Sequence, residues 1–83
     1  MQQEEMLKKL FSDVAFFCKN AIKEPSRQRD YQFKASGVLH AMETIGVISI
    51  DEFCLFTSML WDSPNLTKLF NYANRKGGYL YEL

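Results

Sequence analysis

The eight residues from Gly46 to Phe53 constrain this chain more than any other stretch, because they end one helix and begin another with almost nothing between. Gly46 stands where a helix takes a left-handed closing residue, a conformation open to glycine without steric cost. Ser49 and Glu52 follow with the spacing of a capping box. In that motif the serine hydroxyl accepts from the glutamate amide, and the glutamate carboxylate accepts from the serine amide. Ile48 and Phe53 occupy the two positions of a hydrophobic staple, which sets the angle between incoming chain and helix. A corner this tight predicts an all-α fold.

Helical periodicity extends on both sides of the corner. Over residues 3–23, Met6, Leu7, Leu10, Phe11, Val14, Phe17, Cys18, Ala21 and Ile22 share one half of the helical wheel. Lys8, Lys9, Ser12, Lys19 and Lys23 share the other, with Phe16 in their midst. Pro25 disfavours helical geometry at Glu24 and ends this helix, and Ser26 is the expected cap of the next. That second helix, over residues 26–45, places Tyr31, Ala35, Val38, Leu39, Met42 and Ile45 on a stripe. Phe33 and His40 lie opposite, and Gly37 between them is read as a mark of close approach by another element.

The third helix, over residues 50–61, turns Phe53, Phe56 and Leu60 inward and Asp51, Ser58 and Asp62 toward water. Its apolar arc, flanked by Met59 and Trp61, is wide enough to place it centrally in a bundle or in an interface. Ser63 as cap and Pro64 at the first position open a fourth helix carrying Leu66, Leu69, Phe70 and Ala73 inward, closed by Gly77-Gly78. Tyr79-Leu80-Tyr81 reads as extended, either a docked tail or a short strand. The expected fold is a compact all-α bundle of three main helices plus a short fourth helix and an extended C-terminal tail, one domain over residues 1–83.

Composition bounds the function. Ten basic and ten acidic residues balance, which argues against a simple binder of nucleic acid or anionic membrane. The charges are nonetheless segregated, with no Lys or Arg from Ala35 to Thr67, and the expectation is that they satisfy one another within the fold. Cys18 and Cys54 read as small buried apolar residues of a reducing compartment, not as a disulfide framework. With no signal-peptide pattern and no membrane-length apolar run, the expected location is cytoplasmic.

Catalytic chemistry finds little material. His40 is the single histidine, the two cysteines match no zinc spacing, and no loop precedes a helix in a way that cradles phosphate. Asp51 and Glu52 have structural duties at the helix start, as dipole partner and capping residue. No enzyme activity, cofactor or metal is expected.

The segment from Ser63 to Leu80, less than a quarter of the chain, resembles the recognition helix and wing of winged-helix regulators. There a Ser-Pro cap, a polar helix and a Lys-Gly-Tyr-Leu strand follow one another as they do here. The resemblance implies that Asn65, Lys68, Asn71, Tyr72 and Arg75 face DNA and that Lys76 touches phosphate. The chain departs from that pattern in lacking the helix expected before the recognition helix, and its second wing strand would fall beyond Leu83.

Aromatic residues outside the apolar stripes carry the leading expectation. The chain has seven Phe, four Tyr and one Trp, and Phe16, Phe33 and Trp61 all lie off the buried faces. Rings in such positions anchor protein–protein interfaces. The expected function is a non-catalytic interaction module that binds another protein or a second copy of itself. Small neutral chains of this kind are often regulators or inhibitors, and a phage or mobile-element protein that blocks a host factor, such as an anti-CRISPR, fits that expectation. The alternatives are the DNA-binding regulator just described and a structural homodimer.

Overall fold

The computed structural model describes residues 2–83, which form a bundle of four α-helices. α1 spans Gln2–Lys23, α2 spans Gln28–Thr44, α3 spans Ile50–Leu60 and α4 spans Ser63–Gly77, with a 3₁₀ turn at Pro25–Arg27 between the first two. The fourth helix, at 15 residues, is longer than the 11-residue third. No strand forms among the described residues, so the tail after Gly78 is a docked segment.

α1 is the centre of the bundle. It packs against α4 along one side and α2 along the other, while α3 bridges α2 and α4. Phe11, Val14, Ala15, Cys18 and Ala21 of α1 are buried against Leu39 and Met42 of α2, Phe56 and Leu60 of α3, and Leu66, Leu69, Phe70 and Ala73 of α4. An aromatic triad ties three of the helices together. Phe11 meets Phe56 edge-on at 6.1 Å and Tyr72 at 5.8 Å, and Phe56 lies tilted on Tyr72 at 5.2 Å. Such pairs contribute about 0.5–1.5 kcal/mol each beyond area burial.

The corner forms as its residues dictate. Gly46 has φ of 83°, and a pair of amides closes α2: Gly46 to the Glu43 carbonyl and Val47 to the Met42 carbonyl, both at 3.0 Å. Both bonds of the capping box are present, Ser49 amide to Glu52 Oε1 at 2.9 Å and Glu52 amide to Ser49 Oγ at 3.0 Å. Ile48 is buried and Phe53 half-buried, as a staple requires. The same closing pair recurs at the end of α4, where the Tyr79 amide reaches the Asn74 carbonyl at 2.6 Å and the Gly78 amide reaches Arg75 at 3.3 Å.

Several local expectations are corrected by packing. Ser12 is buried instead of facing water, because Gly77 approaches so closely that a Cβ there would stand 2.8 Å from the Ser12 backbone. Close approach thus belongs to Gly77, whereas nothing lies within 4 Å of a Cβ at Gly37. Ser26 caps nothing by side chain; it sits inside the 3₁₀ turn, and α2 starts after Arg27. At the start of α4 the cap position is Asp62, one residue before Ser63, and its carboxylate accepts from Asn65 Nδ2 at 2.6 Å. Ile45 and Met6, expected on inward stripes, are exposed.

Two glutamines of α2, one turn apart, lock it to its neighbours. Gln28 Nε2 donates to the Ala21 carbonyl at 3.0 Å, and Gln32 Nε2 donates to the Leu60 carbonyl at 2.9 Å. Each acceptor lies in the last turn of a helix, where carbonyls lack intrahelical partners. Hydrophobic periodicity passes over both residues.

Candidate binding surfaces

The three off-stripe rings fall into two groups. Phe33 of α2 is 59% exposed and Trp61, just after α3, is 40% exposed, and their rings meet edge-on at 5.1 Å. The corner at Gly46 brings these two elements together, and the Gln32–Leu60 hydrogen bond beside them fixes their spacing. The result is a preorganised aromatic pair left in water.

Phe16 has a different neighbourhood. It remains 39% exposed but touches Phe17 at 5.5 Å and Tyr81 of the tail at 5.6 Å. Asn74 sets the tail there, its amide nitrogen donating to the Tyr81 carbonyl at 2.8 Å and its amide oxygen accepting from the Tyr81 amide at 3.1 Å. Lys19 lies 5.5 Å above the Tyr81 ring. Phe16 therefore has an intrachain role in seating the tail. The sequence marks Tyr79-Leu80-Tyr81 as an extended tail but not where Tyr81 docks, because so short a segment has no periodicity to display.

The residues of the winged-helix resemblance lie along α4 but are used unevenly. Lys68, Asn71, Arg75 and Lys76 are exposed. Asn65 is half-buried and occupied by Asp62. The Tyr72 ring belongs to the aromatic triad, with Arg75 and Lys76 each 5.5 Å from its centroid. Where a wing would begin, the chain instead turns through left-handed Gly78 and Tyr79, with φ of 104° and 60°, and folds back onto α1.

Between α3 and α4 runs an open groove of about 460 Å³. Phe56 and Tyr72 form its base, Glu52, Leu55 and Met59 one wall, and Lys68, Asn71 and Arg75 the other. Leu55 is 56% exposed, and sequence reasoning missed it although it falls one turn after Asp51 on the wet stripe. A leucine inside a polar stripe was the available signal.

The cysteines separate. Cys18 is fully buried and its thiol is pushed up to about 12 by desolvation, while Cys54 is exposed, contrary to the expectation that both are core residues. His40 is exposed and stands edge-on to Phe53 at 6.0 Å. No cluster of three His, Cys, Asp or Glu side chains suited to a metal occurs among the described residues, and none of their helices is long and apolar enough to cross a membrane. No protein-family model, curated protein or solved structure matches the chain.

Proposed function

We propose that this chain is a non-catalytic protein–protein interaction module that docks a partner protein on the Phe33–Trp61 pair. The observation that carries this reading is the edge-on contact of two large rings that remain 59% and 40% exposed on a rigid support. Exposed aromatics held in one geometry supply the anchors around which interfaces form. A small intracellular regulator or inhibitor, of the kind phages and mobile elements direct against host factors, is the role this proposal extends to.

Capture from lysate of the native host, read by mass spectrometry, tests it. Phe33→Ala and Trp61→Ala are expected to keep the helical circular dichroism of the parent and to lose the captured partner. Capture unchanged in both variants would remove the reading. The DNA-binding alternative draws support from the basic residues Lys68, Arg75 and Lys76 on a helix with no acidic residue. It predicts retention on DNA that falls steeply with salt and weakens in Arg75→Ala. Absence of retention at low salt would leave that alternative without support.

A further inference from the structure

Among the described residues, the segregated charges of this chain form no ion pair between helices. α3 carries Asp51 and Glu52 and no base, while α4 carries Lys68, Arg75 and Lys76 and no acid. Yet the one ion pair among the described residues is Lys9–Asp13, within α1, at 3.5 Å. The Glu52 carboxylate is taken by the Ser49 amide. Glu52 lines the same groove, yet no described carboxylate stands within ion-pair distance of Lys68 or Arg75, so the expected internal charge balance is not made by ion pairs between α3 and α4.

The groove asks for a particular occupant. Its base is aromatic, its α4 wall carries Lys68 and Arg75, and Glu52 stands on its α3 wall, so at its Lys68 end it suits a helix presenting an apolar side chain beside a carboxylate. The chain itself owns such a helix. On α3, Asp51 and Leu55 are exposed one turn apart, and neither has an intrachain partner among the described residues. With zero net charge, two copies approach without overall repulsion.

We propose that the α3–α4 face is a self-complementary surface on which a second copy of this chain docks, each Leu55 entering the groove of the other copy. A two-fold arrangement of this kind uses the same patch twice. A two-residue link joins α3 to α4, and the two helices line one groove as a hairpin, so Lys68 lies near the C-terminal end of α3. Crossing the α3 helix of the second copy antiparallel over the first sets its Asp51 beside that Lys68. This surface involves neither Phe33 nor Trp61, so it stands or falls apart from the function proposed above.

Light scattering at micromolar concentration and low salt tests it. The expected mass is twice that of the 9.7 kDa chain. Leu55→Asp, at an exposed position, is expected to give a monomer with unchanged helical circular dichroism. Lys68→Glu is expected to weaken the dimer about tenfold, and adding Asp51→Lys to restore it by reversing the pair. A wild-type monomer, or a dimer indifferent to both Leu55→Asp and Lys68→Glu, overturns the proposal. A monomer that binds a foreign acidic helix through Lys68 and Leu55 also overturns it, and assigns the groove to that partner.

Discussion

Gly77 and Ser12 show how one contact sets the spacing of two helices. The Gly77→Ala side chain would stand 2.8 Å from the Ser12 Cα and amide nitrogen, so α1 and α4 would have to separate. We expect a loss of about 1–3 kcal/mol, read from urea unfolding. Gly37 is the opposite case, an exposed helical glycine with open space around it. Gly37→Ala should stabilise by up to about 1 kcal/mol in the same assay. Cys18 supplies a pH dependence. Its thiol is raised by burial from 9.0 to about 12, so the folded chain holds a proton that the unfolded chain releases. That stability is complete below pH 9 and drains away as pH climbs toward 12, by about 1.4 kcal/mol per pH unit within that window. Alkaline unfolding of the parent should therefore be steeper than that of Cys18→Ala. A thiol reagent should label Cys54 alone in the native chain and both cysteines in denaturant, and equal labelling rates would contradict the packing described.

At the scale of elements, the corner and the tail are held by different means. Ser49→Ala removes one arm of the capping box and should cost about 1 kcal/mol, seen as a lowered urea midpoint with an unchanged m-value. Asn74→Ala removes both hydrogen bonds to Tyr81. The expected outcome is rapid hydrogen exchange at the Tyr81 amide with the four helices still protected. Loss of protection throughout the bundle would instead make the tail an integral part of the core. The corner was legible in the sequence because every partner in it lies within six residues, from the Met42–Ile48 bond to the Ser49–Glu52 pair. The extended tail was legible too, but its clamp was not, because Asn74 and Tyr81 carry no pattern that distinguishes a clamp from a coincidence.

For the whole molecule, the decisive arrangement is α1 at the centre and α3 at the side. The wide apolar arc of α3 suggests a central place in the bundle or in an interface, but α1 takes the centre of the bundle. Packing gives it α2 and α4 and leaves Leu55 in water beside the groove, while Phe33 and Trp61 meet across the corner. Phe33→Ala combined with Trp61→Ala is expected to change the thermal midpoint little, because both rings are already substantially exposed. A large drop in that midpoint would mean that the pair supports the fold and would weaken its reading as an anchor.

The sequence alone determined the four helices, the Gly46 corner and most of the inward stripe of each helix, since caps and periodicity act over three or four residues. Only the tertiary structure decided that Ser12 is buried, that Cys54 and Ile45 are not, and that Phe16 serves the tail. It also decided that the opposite charges of α3 and α4 form no ion pair among the described residues. A helix face records that it is apolar or charged, but which neighbour covers it depends on crossing geometry set by contacts far apart in the chain, such as Gly77 on Ser12.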